Sequence, residues 1–164
     1  MFLYIPTGRL IAMSLVSLGL YDIYWIYRNW RYLKERDGLK LQPFWRCVFG
    51  IFYIHSLLKA IKTDATANQI QQATFSPGGL ATGWIVLVLL GRALGRAPEP
   101  AVGLIGIIIS APTFCFLLPA QNYINAINEA FPDRPAYYGF SSGHIVCLVL
   151  GIIMWLLILV GLTA

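Results

Sequence analysis

The sequence predicts an all-α polytopic membrane protein, a bundle of five transmembrane helices in a single domain that covers residues 1–164. Hydrophobic residues make up 58% of the chain and charged residues 12%, with a mean hydropathy of +0.68, whereas a soluble domain usually carries about 25% charged residues. The apolar residues also gather in runs that approach the ~20 residues needed to cross a bilayer. The predicted spans are 7–27, 44–61, 79–97, 101–120 and 144–163.

The first predicted span combines an apolar run over residues 10–16 with a group of aromatic residues at its end, Tyr21 to Tyr27. Aromatic side chains concentrate where a transmembrane helix meets the lipid headgroups, so we expect the membrane interface near Tyr27. Beyond it, aromatic and basic residues alternate in a way that is typical of a helix lying among headgroups. Asp37 and Gly38 are expected to end this helix.

The second predicted span is ambiguous. Pro43 suits the first turn of a helix, but the apolar run that follows is bounded by Arg46 on one side and by His55 and Lys59 on the other. It is shorter than a full span requires unless both cations extend toward opposite interfaces. The alternative architecture therefore has four spans plus one interfacial or re-entrant helix.

The last three spans are clearer, and an internal sequence similarity relates the second and third spans to the fourth and fifth. Arg92 and Arg96 end the third span, Pro112 and Pro119 interrupt the fourth, and the fifth carries no charge. Residues 44–91 and 102–161 each contain an apolar helix, a polar extension, a Phe-Ser-x-Gly segment and a span. This pattern resembles a tandem two-helix repeat and favours five spans, with the second and fourth equivalent.

The distribution of basic residues predicts the orientation. Five spans with the N-terminus outside place eight of the 12 Lys and Arg residues on the cytoplasmic side, and the four-span alternative places nine there. Both arrangements put the loop 28–43 in the cytoplasm. The net charge of +5 is therefore interpreted as a topological signal, and nucleic acid is not expected as a partner.

A motif in the first helix resembles a family of small bacterial multi-pass inner-membrane proteins classed as a domain of unknown function. Weaker similarity continues through most of the chain. The resemblance implies a location in the bacterial inner membrane and supplies no reaction, cofactor or catalytic residue. The matching segments are Gly19-Leu20-Tyr21-x-x-Tyr24-Trp25-x-Tyr27-Arg28-x-Trp30 and Pro43-Phe44-Trp45-Arg46.

Polar residues within or near the predicted spans are candidate functional residues because they are costly in hydrocarbon. Those of helices two and four could line a polar path for a solute, although extension toward the interface and hydrogen bonds between helices explain them as well. Asp22, the one acid of the first span, could carry protons or pair with Arg46, but an interfacial ion pair or hydrogen bonds to tyrosines are the favoured interpretation. The candidate path consists of Arg46, His55, Lys59, Asn122 and Asn125.

A second candidate surface follows the first span, where four basic residues are expected to contact anionic lipid headgroups. No catalytic motif, metal-ligand cluster or cofactor-binding sequence is present, so the sequence favours a non-enzymatic protein that requires no cofactor. The leading function is association, as a homo-oligomer or as a small subunit of a membrane complex, and the alternative is a small transporter or channel. The lipid-contacting residues are Arg28, Arg31, Lys34 and Arg36.

Overall fold

The chain folds as a bundle of helices, and no strand occurs in the ranges that the computed structural model describes, which are residues 2–67, 75–130 and 141–163. A short 3₁₀ segment, Ala111–Phe116, joins two of the α-helices. The α-helices are α1 (Thr7–Val16), α2 (Leu20–Asp37), α3 (Pro43–Val48), α4 (Gly50–Ala67), α5 (Pro77–Leu94), α6 (Pro100–Ser110), α7 (Leu118–Ala130) and α8 (Ser142–Thr163).

Three helical segments of the described chain are long and apolar enough to cross a membrane. They are Pro77–Leu94, Ala101–Glu129 and Ser142–Gly161, and the second of them combines α6, the 3₁₀ segment and α7. These segments correspond to the third, fourth and fifth predicted spans. The prediction of an all-helical fold is confirmed, and these three spans have the length and hydropathy that a membrane crossing requires. The count of five spans is not confirmed, because the first two predicted spans fold differently.

The predicted first span, 7–27, is not one helix. The chain leaves helical geometry at Leu18 (φ 49°) and Gly19 (φ 83°), so that α1 ends at Val16 and α2 starts at Leu20. Glycine adopts a positive φ readily, whereas a leucine with positive φ is uncommon and needs support from its surroundings. The Gly19 amide donates to the Ser14 carbonyl (2.9 Å), which satisfies one of the carbonyls at the end of α1.

Because of the break, α1 and α2 form a helical hairpin, residues 7–37. The segment before α1 continues alongside α2. The Leu3 amide donates to Asn29 Oδ1 (3.3 Å), and the rings of Phe2 and Tyr32 lie 4.6 Å apart between centroids. The N-terminus and the loop 28–43 therefore lie at the same end of the molecule. This finding differs from the sequence prediction, which put them on opposite sides of the membrane.

The tip of the hairpin lies at the level of the middle of α8. Gly151, the tenth residue of that 22-residue helix, packs so closely on the tip that a Cβ added to it would lie 2.5 Å from the Val16 carbonyl oxygen. On another side of the tip is Thr113, which is close to the centre of the segment Ala101–Glu129. The hairpin thus enters the bundle to about the midpoint of the apolar helices and returns.

The second predicted span, 44–61, forms α3 and α4, which meet at Phe49 and run beside the outer part of α2. Gly50 packs against Ile26, whereas the other end of α4 reaches Arg36 through the ion pair with Asp64. The helix α4 therefore lies alongside α2 and does not extend through the bundle. It is not equivalent to the segment α6–α7, and the structure does not support the predicted repeat.

The two helices α5 and α6 form the closest helix pair. An added Cβ at Gly91 would lie 2.5 Å from Ser110 Cβ, and one at Gly106 would lie 2.8 Å from the Gly91 carbonyl oxygen. Small residues allow such close approach between membrane helices. α5 begins beside Phe75, whose ring contacts Tyr123 (5.2 Å), so the turn between α5 and α6 lies at the end opposite the N-terminus.

Candidate functional site

Asp22 lies in the first turn of α2, directly after the break, and is 1% exposed. Ser14 Oγ donates to its Oδ1 and Thr113 Oγ1 donates to its Oδ2, both at 2.7 Å. The partial positive charge at the start of α2 also favours a carboxylate there. The hydrogen-bond partners of Asp22 are thus hydroxyl groups of α1 and the 3₁₀ segment, and the prediction of an interfacial ion pair or of hydrogen bonds to tyrosines is wrong.

Thr113 reaches the carboxylate because the helix is broken at the preceding residue. Pro112 has ψ 18° and lies where α6 gives way to the 3₁₀ segment. A proline inside a helix removes one backbone hydrogen bond and clashes with the preceding turn, which explains the change of geometry. Two chain breaks, at Leu18–Gly19 and at Pro112, therefore meet around Asp22.

Trp84 of α5 completes the surroundings of the carboxylate. The side chain is 5% exposed, and its Nε1 is buried without a hydrogen-bond partner of normal geometry. Trp84 and the Asp22 carboxylate are close neighbours. A buried donor without a partner is costly and rare in folded proteins, so this N–H is a polar group that a water molecule would satisfy.

A cavity of about 340 Å³ opens beside Asp22. The part of α5 that lines it runs from Trp84 to Arg92, which is the half of the helix farther from the N-terminus. Most of its wall is apolar, and Asp22 and Arg92 are the two charged side chains in it. The volume falls within the ~300–1,000 Å³ typical of small-molecule sites, which are largely apolar with few polar groups.

On the other side of Asp22 the bundle is closed. Trp25 is fully buried, and its Nε1 donates to Gln121 Oε1 at 2.6 Å. Gln121 Nε2 in turn donates to the Leu3 carbonyl at 3.0 Å, which ties the N-terminal segment to α7. Asp22, which is 1% exposed, therefore borders the cavity on one side, and packed side chains separate it from the end that holds the N-terminus.

His144 at the start of α8 belongs to a second polar cluster. The Ser141 amide donates to His144 Nδ1 (3.1 Å), so in the neutral ring Nε2 carries the hydrogen and lies 3.0 Å from Tyr21 Oη. Tyr24 Oη and Ser141 Oγ are 2.7 Å apart. The contact of the His144 ring with the Ser141 amide caps the start of α8.

Among the residues of the predicted polar path, those from α3 and α4 do not line the Asp22 cavity. The Arg46 guanidinium lies 4.3 Å from the ring centroid of Trp30, which is a cation–π geometry. His55 and Lys59 are exposed on α4, one turn apart, and His55 Nε2 lies 3.3 Å from Thr82 Oγ1. These three side chains face the outer surface of the bundle or its aromatic residues.

The two asparagines of the predicted path hold the N-terminal segment against α7. Thr7 Oγ1 donates to Asn122 Oδ1 at 2.8 Å, and Asn125 Nδ2 donates to the Ile5 carbonyl at 2.9 Å. Asn125 also accepts a hydrogen bond from Gln121 at 2.7 Å. These amides join chain segments, which is one of the two roles that the sequence allowed for them.

Ion pairs engage two of the four predicted lipid-contacting residues. Arg31 pairs with Glu35 at 2.7 Å, and Arg36 contacts both Asp37 and Asp64. The Arg31 hydrogen bond lowers the pKa of Glu35, and the Arg36 hydrogen bond lowers that of Asp37. All four basic residues of this predicted surface lie on the outer part of α2; they are Arg28, Arg31, Lys34 and Arg36.

Metal-ligand chemistry finds no support in the described ranges, where no three His, Cys, Asp or Glu side chains converge. The three cysteines, Cys47, Cys115 and Cys147, are free thiols. No protein-family model, curated protein or solved structure matches the chain. The resemblance of the first helix to a membrane-protein family therefore stays a prediction, and function has to be argued from the Asp22 cavity.

Proposed function

We propose that the chain is a small proton-linked membrane transporter in which Asp22 binds and releases the proton. The observation that carries this proposal is a buried carboxyl group at the tip of a helical hairpin, beside a cavity and level with the middle of the apolar helices. Ionisable groups at that depth are costly and usually serve a function. Of the two functions that the sequence left open, association and transport, this geometry favours transport. The solute path then passes Asp22 and not the residues that the sequence predicts.

The residues around Asp22 support proton exchange. The hydroxyl groups of Ser14 and Thr113 stabilise the charged carboxylate by hydrogen bonds, while the cavity gives it a route to one end of the protein. Non-helical backbone at membrane depth is tolerated where it is buried in protein or lines a cavity. Binding sites in transporters often lie at such broken helices near the bilayer midplane.

We further propose a topology of three spans, formed by α5, by α6–α7 and by α8, with the hairpin 7–37 re-entrant from the cytoplasm. Arg92 and Arg96 are near the turn from α5 to α6, whereas the other Lys and Arg residues of the described ranges belong to the end that holds the N-terminus. The positive-inside rule supports a cytoplasmic location for that end. The loop 28–43 is then cytoplasmic, as the sequence predicts, and so is the N-terminus. The cavity then faces the opposite side.

The α3–α4 pair fits this topology as an interfacial element. Phe44, Trp45, Phe49 and Phe52 are 58%, 53%, 49% and 76% exposed around the junction of the two helices. Aromatic side chains favour the membrane interface, and Gly50 at this junction packs on Ile26 of α2. This arrangement corresponds to the alternative of an interfacial helix, with contacts to anionic headgroups from the basic residues of α2.

The test is proton uptake by liposomes that contain the purified chain and a trapped pH-sensitive dye. An acid pulse outside the vesicles should acidify their interior faster than that of protein-free vesicles. Asp22→Asn should reduce the rate to the protein-free value, Asp22→Glu should retain part of it, and the exposed-site control Asp37→Asn should leave it unchanged. Uptake by the unmodified chain at the protein-free rate, or full uptake by Asp22→Asn, would overturn the proposal.

Association remains a second proposed function, and the second half of α8 supports it. Ile152, Leu156 and Leu157 are 53%, 55% and 66% exposed, and they point in several directions around the helix. Lipid or another protein must cover this apolar surface in a membrane. In a cysteine-free background, Leu157→Cys should form disulfide-linked dimers in native membranes, whereas Lys40→Cys should not. The absence of dimers would argue against a second copy at this surface.

A further inference from the structure

The Asp22 cavity has a negative end and a positive end. Asp22 lies at the tip of the hairpin, close to Trp84, and Arg92 lies eight residues farther along α5. Eight residues of α-helix correspond to a rise of about 12 Å. Val88 is halfway between Trp84 and Arg92 and also lines the cavity, so an apolar stretch separates the two charged ends.

The other polar groups of the cavity also lie near one or the other of these two ends. At the Asp22 end, both carboxylate oxygens accept hydrogen bonds from hydroxyl groups. The guanidinium group of Arg92 is the cation at the other end, and Ser110, whose hydroxyl donates to the Ile107 carbonyl, also lines the cavity. The remaining wall includes Val88, Ile107 and Met154, which can contact a hydrocarbon chain.

From this arrangement we infer that the cavity binds a small zwitterion, with its ammonium group at Asp22 and its acidic group at Arg92. A short apolar chain separates the two charges. A ligand with a cation alone leaves Arg92 without an anion, and a ligand with an anion alone brings negative charge toward Asp22. The inference rests on the proposed role of Asp22 as the charged residue of a transport site. It adds the class of solute that would exchange with the proton, because the Asp22 carboxylate binds either the proton or the ammonium group.

Calorimetric titration of the full chain in detergent tests the inference with three matched probes. 6-Aminohexanoate carries both charges at the ends of an apolar chain, its amide 6-aminohexanamide lacks the negative charge, and norleucine is an isomer with both charges on neighbouring atoms. We expect 6-aminohexanoate to bind at least tenfold more tightly than either of the others. Equal affinities of 6-aminohexanoate and its amide, or no saturable binding of 6-aminohexanoate, would overturn the inference.

Substitutions of Arg92 and Asp22 test which end of the ligand each of these two residues binds. Arg92→Gln should weaken 6-aminohexanoate at least tenfold and leave the amide unchanged, whereas Arg96→Gln, one turn farther and outside the cavity wall, should change neither. Asp22→Asn should weaken both ligands. Arg92 is exposed, so its substitution leaves the packed core intact and keeps the test valid if Asp22→Asn is unstable. An Arg92→Gln protein with unchanged selectivity would contradict the assignment.

Proton uptake by the same purified protein, after reconstitution into liposomes, separates the two proposals. Proton uptake that depends on Asp22, together with no binding of 6-aminohexanoate, would overturn the zwitterion site and keep the proton-linked function. Selective binding of 6-aminohexanoate without proton uptake would overturn the proton-linked function and keep the site.

Discussion

Ser14 and Asp22 face each other across the break between α1 and α2, joined by a hydrogen bond of 2.7 Å between Ser14 Oγ and Asp22 Oδ1. The two residues are eight positions apart in sequence and belong to antiparallel helices. A continuous helix would place them about 12 Å apart along its axis. The hydrogen bond therefore links the geometry of the break to the position of the carboxylate.

Removing the Ser14 hydroxyl should destabilise the protein without changing its apolar packing. In Ser14→Ala, Oδ1 of a fully enclosed carboxylate loses the donor that the structure gives it, and a buried polar group without a partner costs about 1–3 kcal/mol. Unfolding in mixed micelles should show that loss, while Ser56→Ala on the exposed face of α4 should remain within about 0.5 kcal/mol of the parent.

A double-mutant cycle tests the hydrogen bond between Ser14 and Asp22 directly. If the hydroxyl acts through Asp22, Ser14→Ala should cost much less in an Asp22→Ala background, which lacks the acceptor oxygens, than in the parent chain. Equal costs in both backgrounds would show that Ser14 stabilises α1 by another route.

The break itself illustrates what the sequence could and could not show. Apolar residues continue through Leu15, Val16, Leu18 and Leu20, so the hydropathy pattern predicts one uninterrupted helix. Gly19 was the local signal for a break, but an isolated glycine is also common within membrane helices. The ends of α2 and the start of α3 were predictable because Gly38 (φ 62°) and Pro43 have strong positional preferences.

The close contact of Gly151 with the hairpin tip should make this position intolerant of any side chain. An alanine Cβ there would lie 2.5 Å from the Val16 carbonyl oxygen and 2.6 Å from Ser17 Cα, so the backbone must shift. Overpacking costs about 1–3 kcal/mol, and the higher helix propensity of alanine recovers up to about 1 kcal/mol. We expect a net loss of about 1–2 kcal/mol in the free energy of unfolding of Gly151→Ala.

Gly161 is the matched control because it lies in the same helix and an added Cβ there meets no atom within 4 Å. Gly161→Ala should leave the free energy of unfolding unchanged or raise it. If both alanine variants behave alike, the hairpin tip does not pack on α8 as described.

Gln121 should be important for closing the bundle between Asp22 and the N-terminal segment. Gln121→Leu removes the acceptor of the Trp25 indole and the donor to the Leu3 carbonyl, and each unpaired buried group costs about 1–3 kcal/mol. The variant should unfold more easily, and its tryptophan emission should shift as water reaches the indole. Gln42→Leu, at an exposed position, should leave both measurements unchanged.

The Asp22 cavity could not be predicted from the sequence because its parts come from distant segments. Thr113 lies 91 positions from Asp22, and neither a spacing nor a motif links the two residues. The sequence analysis did identify Pro112 as an interruption and Asp22 as an unusual acid. Their juxtaposition depends on the re-entrant hairpin, and that hairpin was concealed by the apolar character of α1.

The position of the N-terminus distinguishes the re-entrant hairpin from a transmembrane first helix. The contacts of Phe2 with Tyr32 and of Leu3 with Asn29 place the N-terminus at the end that includes Lys40. In a cysteine-free background, cysteines at the exposed positions 6 and 40 should therefore react with a membrane-impermeant maleimide from the same side. Glu99→Cys, in the turn between α5 and α6, should react from the other side, because α5 separates it from both. Labelling of positions 6 and 40 from opposite sides would require residues 7–27 to cross the membrane. A hairpin whose Ser14 reaches Asp22 is incompatible with that result.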